Sequence, residues 1–231
     1  MIGILGGMGT RAGLDFCNKI AVLNRGKSDQ QYPKFILYNK SDTPKRPENL
    51  KKYFNVLKEL IKGCLMLQKN KCKFIVMPCN TAHYWQEDIQ KKLKIPLISM
   101  PKEVYLHTKR TCKKNSKIGI LCTEATIKTK VYSKYFDKNY NLVSPGKKLQ
   151  KNSVNKAIKF VKMGKVKDAE KILRPAVKYL IKIKCKKIIL GCTELPIAIF
   201  AYKSFKKIKE SKIFIDPNLL LAQVSMRKYK K

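Results

Sequence analysis

The sequence predicts an α/β protein made of two similar halves. Each half is a mainly parallel sheet flanked by helices, and the two are related by pseudo-two-fold symmetry. Three observations carry this prediction. Short apolar runs alternate with longer amphipathic stretches along the whole chain. The run Lys71-Cys72-Lys73-Phe74-Ile75-Val76-Met77-Pro78-Cys79-Asn80-Thr81 reads almost in register with Lys184-Cys185-Lys186-Lys187-Ile188-Ile189-Leu190-Gly191-Cys192-Thr193-Glu194, at an offset of 113 residues without a gap. Ile2-Gly3-Ile4-Leu5 recurs as Ile118-Gly119-Ile120-Leu121, at an offset of 116. Two matches in the same order, three residues apart in offset, predict a duplication at about 115 residues with a small indel.

The elements follow in order. Strands are expected at Ile2–Leu5, Lys34–Tyr38, Phe74–Met77, Leu97–Ser99, Lys117–Leu121, Tyr140–Val143, Lys187–Leu190 and Lys212–Ile215. Helices are expected at Arg11–Arg25, Glu48–Lys69, Ala82–Lys92, Lys102–Lys109, Thr126–Phe136, Gln150–Met163, Lys165–Lys182, Pro196–Tyr202 and Asn218–Arg227. Continuous apolar strands between helices are buried on both faces, which is the habit of parallel sheets with right-handed crossovers. The boundary falls near Ser99–Pro101, where a strand ends and a proline opens a helix. The first domain is therefore expected to comprise residues 1–100 plus 210–231, the tail crossing back onto it, and the second residues 101–209.

Composition narrows the function. The chain has 231 residues, 44% of them hydrophobic, which suits a packed core. No apolar run approaches the roughly 20 residues that span a bilayer, and no signal-like segment precedes the first strand, so no membrane partner and a cytoplasmic location are expected. The net charge is +37, which alone would suggest nucleic acid. Of the 52 basic residues, however, only six are arginine, the residue suited to bidentate phosphate and base contacts, and the lysines are spread over helix faces and turns. No nucleic-acid partner is expected; the positive field would attract small anions. The eight cysteines contain no C-x-x-C pair and only two histidines accompany them, so no metal site is expected.

Three places can carry chemistry. Gly6-Gly7-Met8-Gly9-Thr10 joins the first strand to a helix, a turn that can also present N–H groups to an anion. It matches neither a dinucleotide fingerprint nor a phosphate-binding P-loop. Cys79, in Pro78-Cys79-Asn80-Thr81-Ala82-His83, and Cys192, in Gly191-Cys192-Thr193-Glu194-Leu195-Pro196, each sit at a strand end where a helix begins, a setting that favours thiolate. Either could be a plain buried thiol; the same place in two repeats argues for more. Cys72 and Cys185 begin their strands, away from the edge where α/β sites form, and are read as packing residues, as are Cys17, Cys64, Cys112 and Cys122. His83, one turn from Cys79, could tune it or serve as a hydrogen-bonded helix residue. Arg46 lies in a loop after the second strand and could clamp a carboxylate.

Those three motifs, Ile2 to Gly9, Pro78 to His83 and Gly191 to Pro196, occur in an order that resembles the aspartate/glutamate racemase family, its aspartate racemase branch in particular. The likeness spans essentially the whole chain. It implies a racemase that uses neither pyridoxal phosphate nor metal, with its active site in a cleft between two α/β domains. It implies that Cys79 and Cys192 are the two acid/base thiols of an enzyme interconverting L- and D-aspartate. Asn80, Thr81, Thr193 and Glu194 would line the site, largely through backbone N–H groups, and Met8, Gly9 and Thr10 would form a third wall. Arg46 and Lys162, the latter in Val161-Lys162-Met163-Gly164, match positions associated with the substrate's side-chain carboxylate. A homodimer is expected. Thr10 stands where the family commonly has proline. Other readings are a non-catalytic acidic-metabolite binder of the same fold, or a relative acting on glutamate, a hydantoin or maleate.

Overall fold

The computed structural model describes residues 1–24, 26, 28–44, 54–136, 138–200 and 212–230. It divides into two compact units, Met1–Glu103 with Asn218–Lys231, and Val104–Pro217.

The first unit is built on a parallel three-stranded sheet in the order β2-β1-β3, with β1 at Ile2–Gly6, β2 at Phe35–Asn39 and β3 at Phe74–Val76. Side chains alternate across it. Ile2, Ile4, Phe74 and Val76 face a core shared with Phe16 and Ile20 of α1 (Thr10–Asn24). Leu5, Ile75 and Met77 pack instead with Val56, Leu60, Cys64 and Leu67 of α2 (Phe54–Lys69). The strand expected at Leu97–Ser99 is reduced to a single bridge, Ile75 to Leu97. Pro96 has no N–H to extend the ladder; its carbonyl accepts from Ile75 N–H at 2.8 Å and Ile98 N–H returns to Ile75 O at 2.9 Å. The helix expected at Ala82–Lys92 is a 3₁₀ turn, Thr81–Trp85, running into α3 (Gln86–Gln90). The next helix, α4, runs Met100–Thr111.

The second unit repeats that strand order with a fourth member, β5-β4-β6-β7, all parallel: β4 Lys117–Cys122, β5 Asn141–Val143, β6 Lys187–Gly191 and β7 Phe214–Ile215. The helix expected at Thr126–Phe136 is two, α5 (Glu124–Lys128) and α6 (Ser133–Phe136), separated where Lys130 takes a φ of 53°. The helix expected at Gln150–Met163 begins earlier, as α7 (Lys147–Leu149), passes through a π-helical turn at Gln150–Asn155 and ends as α8 (Lys156–Lys162). Val166–Lys182 forms α9 and Glu194–Phe200 forms α10, with Pro196 tolerated in its first turn.

The duplication reaches further back than the matching strands. The buried residues of α2 are Val56, Leu60, Gly63, Cys64 and Leu67; those on the matching stripe of α9 are Ala169, Leu173, Ala176, Val177 and Leu180, each 113 residues on. Both helices end alike. Lys71 and Lys184 take left-handed φ values of 60° and 61°. The next residues, Cys72 and Cys185, return N–H bonds to Leu67 O and Leu180 O. Both cysteines are buried against a first-strand glycine. A Cβ on Gly3 would lie 3.1 Å from Cys72 Sγ, and one on Gly119 would lie 3.4 Å from Cys185 Sγ and 2.9 Å from Leu180.

The tail returns later than residue 210. Phe214–Ile215 adds to β6, Ile188 N–H bonding Ile213 O at 2.8 Å, so this strand belongs to the second unit. Among the described residues of the tail, only the last helix, α11 (Pro217–Tyr229), crosses back. Leu221, Ala222 and Met226 complete the α1 side of the first core. Asn218 Nδ2 donates to Ala12 O at 3.2 Å and to Asp15 Oδ2 at 2.9 Å, and Lys34 N–H donates to the Tyr229 hydroxyl.

Candidate active site

In the first unit, the loop after β1 is shaped by Gly7, at a φ of 86°. A Cβ there would lie 2.2–2.6 Å from the backbone of Lys40. Met8 is buried, and Thr10 opens α1, its Oγ1 accepting from Asn39 Nδ2 at 3.3 Å. Ala12 N–H bonds Gly9 O at 3.0 Å, starting the helix. Lys40 itself was not singled out in the sequence, yet it packs against this loop. Its side chain is buried, with Nζ 2.8 Å from both Asp42 and Glu59 of α2. Hydrogen bonds from Lys40 and Lys62 pull the Glu59 carboxyl down to about 2. Those to Asp42 and Glu59 push the Lys40 ammonium upward.

Two residues after β3, Pro78 turns the chain and Cys79 follows, 7% exposed. Its N–H bonds Met77 O at 2.8 Å. Asn80 and Thr81 are buried at the start of the 3₁₀ turn. His83 does not turn to the thiol. Its Nδ1 lies 2.8 Å from Cys79 O, and its Nε2 accepts from Met100 N–H at 3.1 Å. A carbonyl can only accept and an N–H can only donate, so the ring is the neutral Nδ1–H tautomer, tying the Cys79 backbone to the start of α4. Arg46 lies outside the described residues.

In the second unit, Cys192 directly follows β6, also 7% exposed. Its Sγ–H donates to Glu194 Oε2 at 3.0 Å, and Thr193 Oγ1 reaches the same oxygen at 3.3 Å. Glu194 is 3% exposed, and Lys162 Nζ lies 3.8 Å from its Oε1. Lys162, half exposed at the end of α8, is therefore placed beside the cysteine motif. Burial first, then the charge and hydrogen bond of Glu194, hold the Cys192 thiol well above its ordinary range; Lys162 and the Glu194 backbone N–H pull the other way.

A polar chain that the sequence reading did not single out lies near the ends of β4. Gln150 Nε2 donates to Cys122 O and Asn155 Oδ1, each at 2.8 Å, and Asn155 Nδ2 donates to Glu124 Oε1 at 2.7 Å. Thr123 caps α5 by accepting from Thr126 N–H. At the 116-residue offset, Thr123 falls opposite Gly7. Cys122 is fully buried and its thiol is pushed up by desolvation, in keeping with a packing role; Cys64, likewise buried, is pushed up to about 12. Among the described residues, no group of three or more His, Cys, Asp and Glu is placed to hold a metal ion, and no helix is long and apolar enough to cross a membrane.

These motifs and sheets define the class. A family profile described as Asp/Glu/Hydantoin racemase matches residues 5–224, and the chain belongs to that family. Within it, the chain is 32% identical over 146 residues to the broad specificity amino-acid racemase RacX of Bacillus subtilis (strain 168), covering 60% of this chain and 61% of RacX. It is 27% identical over 135 residues to a glutamate racemase of Corynebacterium diphtheriae, covering 57% of this chain and 48% of that protein. The chain thus spans about half to three fifths of these curated relatives. Among solved structures, the Picrophilus torridus aspartate racemase matches with a TM-score of 0.81 at 28% identity, over 100% of this chain and 94% of that one. An aspartate racemase homologue from Pyrococcus horikoshii OT3 matches in fold, with a TM-score of 0.78 at 22% identity, over 100% and 99% of the two chains.

Proposed function

We propose that this protein is an amino-acid racemase that interconverts L- and D-aspartate without pyridoxal phosphate, using Cys79 and Cys192 as a pair of acid/base thiols. The observation that supports this most is the repeated placement of the two cysteines. Each lies just beyond the third strand of a sheet built in the same order, at a 113-residue offset, and each precedes a helical turn. One thiolate removes the α-proton and the thiol opposite gives a proton to the other face of the planar carbanion. Exchanging the roles runs the reaction backward. Backbone N–H groups of Asn80, Thr81, Thr193 and Glu194 would stabilise the enolate-like carboxylate, a class of interaction worth roughly 2.7–4 kcal/mol per donor where it has been removed by mutation. Arg46 and Lys162 would bind the side-chain carboxylate.

The test is circular dichroism of the substrate during incubation with each enantiomer of aspartate and of glutamate, with no cofactor added. Decay of the aspartate signal to zero from either enantiomer is expected. A constant signal from all four would leave a binding protein. Racemisation of many amino acids would support the second reading, a broad specificity like that in the name of the relative RacX.

A further inference from the structure

The repeat aligns Cys79 with Cys192 and Asn80 with Thr193, but then it sets Thr81 against Glu194. The two halves therefore differ at the residue two beyond each thiol. In the second unit that residue is a buried carboxylate whose Oε2 accepts the Cys192 Sγ–H at 3.0 Å. Thr193 Oγ1 donates to the same oxygen, and Lys162 Nζ, 3.8 Å from Oε1, supplies the compensating positive charge. An S–H donor can meet a carboxylate acceptor only while the sulfur keeps its proton. A thiolate in the same place would set two anions against each other in a buried environment. In the first unit the aligned residue is a threonine, which carries no charge.

We infer that Glu194 is a positioning residue that holds Cys192 as the proton-bearing thiol of the resting protein, so that Cys192 starts as the acid and Cys79 as the base. This rests on the two-thiol reading above. In a turnover from the resting form, Cys79 takes the α-proton of one enantiomer and Cys192 gives its proton to the opposite face. The protein is left with a Cys79 thiol and a Cys192 thiolate, the less favoured of the two forms. Donating the proton back to solvent from Cys79 and regaining one at Cys192 restores the start.

Among the described residues of the second unit, Glu194, through its carboxylate and its backbone N–H, and Lys162 from α8 act on this sulfur. Desolvation first, then any negative charge on Cys122, Asp216 or Cys192, holds the hydroxyl of the buried Tyr132, just before α6, well above its ordinary range. Glu194 and desolvation oppose the thiolate; Lys162 and the N–H favour it.

The experiment is iodoacetamide labelling across pH, read peptide by peptide by mass spectrometry, because only the thiolate reacts. In the unaltered protein the midpoint for Cys192 is expected above the ordinary thiol value of about 8.5. Glu194→Gln is expected to raise Cys192 labelling at pH 8 at least about tenfold and to change Cys79 labelling less than about twofold. A wild-type midpoint for Cys192 at or below about 8.5 would overturn the inference, and this arm needs no variant to fold. A Cys192 rate unchanged by Glu194→Gln would overturn it too. None of this requires turnover, so labelling as expected in a protein that does not racemise would refute the proposed function and leave the protonation of Cys192 standing. In a racemising protein the bias has a kinetic mark. Enantiomers are equal in free energy, so kcat/KM is the same in both directions. The enantiomer whose α-hydrogen faces Cys192 should show the larger KM and, by the same factor, the larger kcat, and Glu194→Gln should shrink that factor.

Discussion

Replacing Gly7 with alanine tests how the loop after β1 is held. The new Cβ would stand 2.2 Å from Lys40 C, 2.3 Å from its O and 2.6 Å from its N. These are backbone atoms and cannot rotate away. Lys40 is also fixed at its other end by ion pairs to Asp42 and Glu59, and its carbonyl accepts from Thr43 Oγ1 at 2.8 Å. The loop must therefore move, carrying Met8 and Thr10 with it. An L-residue held at a φ of 86° costs about 1–2 kcal/mol. Overpacking adds about 1–3 kcal/mol. The sum is about 2–5 kcal/mol; at about 2–4 °C per kcal/mol for a chain of this size, melting should fall by about 4–20 °C. Thermal unfolding followed by circular dichroism measures it. Gly146→Ala is the internal control, since a Cβ there meets nothing within 4 Å. If Gly7→Ala melts within about 1 °C of Gly146→Ala, the loop is not pinned by Lys40 as argued.

Cys79→Ala and Cys192→Ala should each abolish racemisation, while either can retain exchange of the α-hydrogen in heavy water from one enantiomer; wild-type rates in both variants would sink the two-thiol mechanism. Glu59, with its folded value lowered from 4.5 to about 2, stabilises the fold above its unfolded value, and that contribution is lost as pH falls toward 2. Urea titrations of wild type and Glu59→Gln should therefore converge between about pH 4.5 and 2, and parallel curves would refute the pairing. Lys184→Gly should raise stability by about 0–1.6 kcal/mol, because glycine adopts the left-handed φ of 61° without the Cβ strain of about 1–2 kcal/mol, less about 0.4–1 kcal/mol for its freer unfolded chain. A lower urea midpoint for this variant would show that the lysine side chain contributes more than its backbone costs.

Most strand positions, the helix alternation and both cysteine motifs were legible because each rests on a local pattern. An apolar run bounded by a capping residue reads the same in one dimension as in three. What sequence could not disclose depends on partners distant in the chain. Lys40 looked like one of 46 lysines among 52 basic residues; its role appears only when Glu59 is brought beside it. Lys162 was marked out only by its match to a family position, and the fold sets it near Glu194. His83 was placed correctly one turn from Cys79, but its ring is committed to two backbone groups, and the second, Met100 N–H, is 17 residues away. The expected strand at Leu97–Ser99 shrank to one bridge beside Pro96, which lacks the N–H a ladder needs. The expected return at residue 210 failed because Phe214–Ile215 pairs with β6, and apolar content does not encode which sheet edge a strand joins.

The position of α11 has a consequence for how the protein is made. Chains leave the ribosome from the N-terminus and fold as stretches become available. The second unit is a single continuous segment, Val104–Pro217. The first unit's sheet emerges earlier, yet the face formed by Ile2, Ile4, Phe74 and Val76 waits for Leu221, Ala222 and Met226. An earlier stretch of nascent chain is thus finished by a much later one, and a chain cut short before residue 217 would expose an apolar face that a chaperone could recognise.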